Sequence, residues 1–357
     1  MQEFLDFISQ PQILWYVILS FLPILGWLYF FQKKHPEKRS YVVLTFLAGM
    51  LSVVPIKLYE KYWDVAVFYF EHINVFEYLA DLIHIPDTSK FLAYITINAL
   101  VGVGLFLFTC LMMGVLEIFT RDNTLCVFRK KIRKALESPL FFIAVGIFCG
   151  IVAYGFSFSF HERVWFFVVV GMLEEFIKHL VLRFSDDEKI LSVDDALSFA
   201  IIVALGFAFV ENILYLHNFV ENTNTNFQQF SLFFLLRSTV SVVAHVCFSA
   251  ILGYFYGVAR FSEDIYRQEV MENKHVFFRF IHKIFHLKGE TLFHEEKMME
   301  GMILAMVAHA IFNSLLEFGK VYLLFPFLFL LFFFVLNLFH RKQVYRQSGD
   351  LLHTSFS

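Results

Sequence analysis

Apolar residues in this chain come in long blocks separated by short charged stretches. A membrane-spanning helix needs about 20 apolar residues. Nine blocks are candidates: residues 13–31, 41–58, 91–118, 139–160, 163–183, 195–217, 232–259, 302–317 and 321–339. The second and eighth are the shortest. The pattern predicts an all-α fold, a polytopic membrane helical bundle of about nine transmembrane helices. No internal repeat and no low-complexity linker breaks it into separate folding units.

The charged stretches orient the bundle. Those following the first, third, fifth, seventh and ninth blocks hold 22 of the 29 Lys and Arg residues, and the opposite loops hold five. Basic residues gather on the cytoplasmic side of a membrane protein. The N-terminus is therefore expected outside and the C-terminus in the cytoplasm. Residues 59–90 are aromatic and acidic and read as an outer interfacial segment. Residues 276–287, "VFFRFIHKIFHL", alternate apolar and basic positions at roughly helical spacing and suggest a helix lying on the inner leaflet. The expected organisation is 1–138, N-terminal spans with the outer segment; 139–318, a core with a cytoplasmic loop at 260–300; and 319–357, a last span and tail.

Composition agrees with the pattern. The 357 residues are 58% hydrophobic and include 50 Phe, while charged residues make up 17%, below the roughly 25% of soluble domains. A net charge of −3 gives no basic excess for nucleic acid. Cys110, Cys126, Cys149 and Cys247 form no C-x-x-C pair, so neither a disulfide framework nor a zinc ribbon is expected. The acidic start, "MQEFLDFISQ", precedes no small-residue cleavage site, and the first block is read as a retained span.

Against this apolar background, "GMLEEFIKHL" (171–180) places Glu174, Glu175, Lys178 and His179 inside the fifth block. The sixth holds Glu211 and Asn212, the seventh Arg237 and His245, and the eighth His309 and Asn313. Ionisable groups within a bilayer mark functional sites. At 1.5 Å per residue from the span ends, Glu174 lies roughly 17 Å, His245 roughly 20 Å, Glu211 roughly 10 Å and His309 roughly 12 Å deep. They are expected in one polar layer around a central cavity. Arg237, near an outer end, is expected to position a helix or a lipid head group.

Helical spacing sorts these residues onto faces. Glu174 pairs with Lys178 and Glu175 with His179, with Gly171 one turn above. Small-residue stripes suited to close packing run through Ala200, Ala204, Ala208 and Asn212, and through Ser241, His245, Ser249, Gly253 and Gly257. Peptide hydrolysis needs an activated water and a stabilised oxyanion. Glu174 or Glu175 suits the first role as general base. His309 and Asn313, one turn apart, suit the second as donors.

Taken together, "EEFIK", "FAFVEN" (Phe207, Glu211, Asn212), a histidine in the next block followed by Gly253, and "HAIFN" resemble the PrsW family of intramembrane proteases. That family lies in the superfamily of CAAX prenyl proteases and bacteriocin-processing relatives. The resemblance covers about residues 139–318. It implies a glutamate-dependent endopeptidase in a bacterial cytoplasmic membrane. Glu174 would activate water with support from Glu175 and Lys178, and His309 and Asn313 would form the oxyanion site. Glu211, Asn212 and His245 complete the candidate catalytic set. Glu211 stands where the prenyl-protease branch has histidine, and His179 where it has arginine, so a prenylated substrate is not favoured. A single-span membrane regulator, such as an anti-sigma factor, is the implied substrate and partner.

No cofactor is expected. There is no H-E-x-x-H, and Lys178 beside the glutamates opposes a cation, so the site is read as metal-free. Two other classes compete. A proton-coupled transporter would use the same carboxylates and histidines as a relay, but it predicts repeated halves. A catalytically idle relative would bind peptide without cutting it.

Overall fold

The structure is a computed structural model. It describes residues 10–34, 39–72, 78, 88–119, 139–159, 162–185, 190–222, 226–262, 265 and 289–355. Every regular element among them is a helix. In chain order these are α1 (Pro11–Lys34), α2 (Arg39–Leu51), α3 (Val53–Glu71), α4 (Thr88–Phe119), α5 (Pro139–Ser159), α6 (Glu162–Ser185), α7 (Val193–Asn222), α8 (Phe227–Leu236), α9 (Val242–Arg260), α10 (Gly289–Glu317) and α11 (Val321–Ser355). A π-helical turn, Arg237–Ser241, joins α8 to α9.

Among the described residues, seven helical stretches are long and apolar enough to cross a membrane. The two further predicted spans, 139–160 and 163–183, are helices α5 and α6. The ionisable residues of α6 dilute its apolar content. The chain is a multi-pass integral membrane protein, as the blocks predict. Two boundaries differ from expectation. Residues 59–71 are not a separate surface segment but the second half of α3, within the candidate span Ser40–Glu71. Glu60, Asp64 and Glu71 share one strip of the helix, and Tyr59 and Trp63 are buried beside it. The eighth span also starts earlier: α10 begins at Gly289, inside what reads as a charged loop. The proposed surface helix at 276–287 and Cys126 lie outside the described residues. The cysteines that are described, Cys110, Cys149 and Cys247, are buried free thiols.

The chain forms two compact units. Unit one comprises Met1–Met50, Glu188–Ala305 and Phe325–Ser357. Its centre is α7 packed on α9, and the small-residue stripes make that packing possible. A Cβ on Gly253 would stand 2.5 Å from the Ala200 Cβ and 2.9 Å from the Ala196 carbonyl oxygen. Gly257 meets Val193 and Ala196 in the same way. On another face of α7, a side chain at Gly206 would collide with the Phe46 carbonyl of α2, and one at Gly49 with that of Val203. Phe21 of α1 closes this layer, with ring centres 5.5 Å from Phe209 and 6.3 Å from Phe46. The Ser192 hydroxyl caps α7 by accepting the Asp195 N–H at 3.1 Å.

Unit two comprises Leu51–Asp187 and Met306–Leu324. Here α4 and α5 approach through Gly146 and Gly150. Added Cβ atoms would lie 2.6 Å from the Asn98 carbonyl oxygen and 2.6 Å from the Ile95 Cα, respectively. An aromatic cluster joins α3, α4 and α6. The Trp63 ring centre lies 5.2 Å from Tyr94 and 5.5 Å from Trp165. The end of α10 is fixed by Gly319, whose φ of 64° suits glycine. There the Lys320 N–H donates to Leu315 O at 2.9 Å and the Gly319 N–H to Leu316 O at 3.0 Å. This pair of bonds satisfies carbonyls that a helix end leaves open.

Candidate active site

Unit two brings together Glu174, Glu175 and Lys178 from α6 with His309 and Asn313 from the last turns of α10. All but Asn313 are almost fully enclosed: Glu175 is 0% exposed, Lys178 1%, His309 2% and Glu174 4%. Glu175 is the hub. Its Oε1 accepts from Lys178 Nζ at 2.8 Å and from His309 Nδ1 at 2.8 Å. An ionised carboxylate only accepts, so the Nδ1 of His309 must carry the proton. In the neutral ring Nε2 is then the bare, basic nitrogen. That nitrogen lies 3.6 Å from Glu174 Oε2. Lys178 Nζ lies 3.8 Å from the same oxygen. Both distances exceed hydrogen-bond length. The two adjacent glutamates therefore differ: Glu175 is tied by short bonds and Glu174 stands a looser step away.

Gly171 makes this arrangement possible. A Cβ there would lie 2.9 Å from Asn313 Nδ2 and 3.1 Å from His309 Cδ2. The glycine lets α10 settle against α6, one turn from the glutamates. Asn313 secures that contact, donating Nδ2–H to the Phe167 carbonyl at 3.0 Å. One of its two N–H groups is thus engaged by helix backbone rather than pointed at a substrate. His179, on the same helix, is also buried.

Unit one brings together Glu211, Asn212 and His245, and it adds Arg237. Glu211 Oε2 lies 2.8 Å from His245 Nε2 and 2.9 Å from Arg237 Nη2. The Arg237 Nε–H donates to Asn212 Oδ1 at 3.2 Å, and its guanidinium stacks 3.9 Å from the Tyr215 ring centre. From the end of α8, Arg237 thus binds the candidate residues Glu211 and Asn212 of α7. Its position opens the π-helical turn, a wider turn frequent at functional sites. The signal in the sequence was that Arg237, like Lys178, is a basic residue lying inside a predicted span rather than at its very end. The ring of Phe207 packs on His245 with centres 5.8 Å apart.

Comparison with known proteins bears on both groups. The family profile described as PrsW family intramembrane metalloprotease matches residues 135–339. The chain is similar to the Protease PrsW of Geobacillus kaustophilus (strain HTA426), at 34% identity over 99 residues, which is 27% of this chain and 39% of that protein. It is also similar to the Protease PrsW of Clostridioides difficile (strain 630), at 32% over 98 residues, 27% of this chain and 39% of that one. A third, from Oceanobacillus iheyensis, is 34% identical over 96 residues, 26% of this chain and 40% of that one. The matched region spans about two fifths of the length of these curated relatives. No solved structure matches the chain.

Proposed function

Because the chain belongs to the PrsW family, described as intramembrane metalloproteases, we propose that it is an endopeptidase cutting a membrane-anchored protein within or beside the bilayer. A single-span regulator such as an anti-sigma factor is the proposed substrate class, and the charge asymmetry of the loops supports an external N-terminus and a cytoplasmic C-terminus. The observation that carries the reading is the Glu175–His309–Glu174 arrangement. Glu175 fixes the tautomer and ring plane of His309 through Nδ1, so Nε2 faces the second carboxylate at 3.6 Å.

That geometry fits a metal. Two ligands on a tetrahedral ion with bonds of about 2.0–2.1 Å stand roughly 3.4 Å apart, close to the observed 3.6 Å. A carboxylate behind the far nitrogen of a ligating histidine is the usual orienting partner. Glu174 and His309 would hold the ion, with further ligands supplied elsewhere in the chain. When bound, such an ion polarises a carbonyl and makes water nucleophilic at neutral pH. With the ion bound, Glu174 would be a ligand; without it, Glu174 would be the general base that takes a proton from water. Glu175 keeps His309 oriented, and Lys178 keeps Glu175 in place. Glu211 and His245 are retained as residues serving the reaction on the strength of their place in the motif order.

A second reading, a metal-free site in which Glu174 alone is the base, is favoured by Lys178. Its ammonium 3.8 Å from Glu174 Oε2 already supplies a positive charge there. One experiment separates the two. Purified wild type and Glu174→Gln are incubated with single-span membrane peptides, with and without chelator and then with added zinc. Cleavage by wild type that stops with chelator and returns with zinc supports the metal reading. Cleavage that ignores chelator but is lost in Glu174→Gln supports the metal-free one. Equal cleavage by both proteins overturns the role of Glu174.

A further inference from the structure

We propose that unit two carries a binding site for a zwitterionic phospholipid. The ammonium of the headgroup sits in an aromatic, carboxylate-lined cavity, and one acyl chain lies in the apolar groove that continues from it.

The cavity has a volume of about 500 Å³ and is lined by α3, the start of α4 and the start of α6. Glu60, Asp64 and Glu71 face it from α3. Positions i, i+4 and i+11 fall within about 40° of one another on a helix of 3.6 residues per turn, so the three share a face. Glu60 is engaged by the ammonium of Lys57, and Asp64 and Glu71 remain to meet a cation. The walls are Trp63 and Trp165, 4% and 6% exposed and 5.5 Å apart at their ring centres. Aromatic faces backed by carboxylates attract organic ammonium groups. Lys90 also lines the cavity, 6.0 Å from the Tyr94 ring centre. The cavity thus offers negative and positive charge together, matching a group that carries both an ammonium and a phosphate.

The second observation is the groove. It has a volume of about 280 Å³, lies between α3 and α4, and shares Trp63 with the cavity. Leu58, Ile97, Val101 and Leu105 make it apolar. From Ile97 to Leu105 it follows α4 for about 12 Å, against roughly 15 Å for one leaflet of the hydrocarbon core. It runs from the polar end of the helix pair toward its middle, as a chain hanging from a headgroup would. Gly104 lies in its floor, and a Cβ there would meet nothing within 4 Å. The space is open to a ligand. A free ammonium compound would use the cavity alone. A lipid with an anionic headgroup would set like charge against Asp64 and Glu71.

The test is native mass spectrometry of the full chain with phosphatidylethanolamine, phosphatidylglycerol of matched chains, and soluble phosphoethanolamine. The expected result is phosphatidylethanolamine retained about ten-fold over phosphatidylglycerol, and phosphoethanolamine bound far more weakly than the lipid. In Asp64→Asn/Glu71→Gln the headgroup preference disappears. In Gly104→Leu, retention of the lipid falls several-fold, because the new side chain fills the groove. That variant adds atoms only to open space, so it keeps the proposal falsifiable if the charge variant fails to fold. Equal retention of both lipids by wild type, an unchanged preference in the charge variant, or unchanged retention in Gly104→Leu would overturn the site. So would phosphoethanolamine binding as tightly as the lipid. A photo-crosslinker at Val101 that captured polypeptide in place of lipid would give the groove to a protein partner and overturn it equally.

Discussion

The two polar clusters repeat one device and differ in what surrounds it. In each, a buried carboxylate is clasped by a histidine and a permanent cation. Glu175 holds His309 and Lys178, and Glu211 holds His245 and Arg237, with every clasping contact between 2.8 and 2.9 Å. In the unit-one cluster the cation has further anchors, Asn212 and the Tyr215 ring. The unit-two cluster has a second carboxylate, Glu174, held at 3.6 and 3.8 Å from the same two partners. A clasped carboxylate oxygen, Oε1 of Glu175 or Oε2 of Glu211, orients the histidine and the cation that hold it. The Oε2 of Glu174, beyond hydrogen-bond range of His309 and Lys178, is the oxygen that a reactant or a metal would meet. Under the proposed function the comparison would separate holding from reacting, with Glu175 assigned the first role and Glu174 the second.

The strongest way to break this comparison is Glu174→Gln. Proteolysis is expected to fall by about 10³-fold, while the melting temperature in detergent changes little. A melting loss as large as that of a Glu175 variant would erase the distinction between the two glutamates. Next is Glu175→Ala, which strands Lys178 at 1% exposure. Removing one partner of a buried ion pair costs about 3–5 kcal/mol, read as a lowered melting temperature. Adding Lys178→Met should recover part of it. Glu211→Gln is expected to be milder, about 1–3 kcal/mol, because Arg237 keeps Asn212 and Tyr215. Its activity per folded molecule should stay well above that of Glu174→Gln, and an equal loss would make Glu211 a reacting group too. Last is Gly171→Ala, whose overpacking against the Asn313 and His309 side chains is expected at the low end, about 1 kcal/mol. It should also loosen the Asn313–Phe167 bond, seen as faster hydrogen exchange at the end of α10.

Much of this was legible in the sequence, and what was missed has physical reasons. Block length against bilayer thickness is a direct constraint, so the helices could be counted from composition. The glutamates, lysine and histidines stood out because each is costly in lipid. The stripes of Ala, Ser and Gly anticipated the contacts of Gly253 and Gly257 with α7. Residues 59–71 were misjudged because a linear count of charges hides which side of a helix they occupy. Arg237 was set apart because it lies near the outer end of a predicted span, and no period in the sequence announces the π-helical turn that it opens. Asn313 was given to the oxyanion on spacing alone, but its contact with the Phe167 carbonyl depends on how closely Gly171 lets two helices meet. The difference between Glu174 and Glu175 was beyond the sequence altogether, since neighbours in the chain carry the same chemistry until their partners are known.

The placement of tryptophan has an optical consequence. The chain has four. Trp15 and Trp27 lie on α1 of unit one, 65% and 36% exposed, and Trp63 and Trp165 form the buried pair of unit two. Replacing the first two with phenylalanine would leave an emission arising only from the aromatic pair. The intrinsic fluorescence of that variant would report on unit two with no attached dye. A brominated acyl chain entering the groove beside Trp63 would darken it.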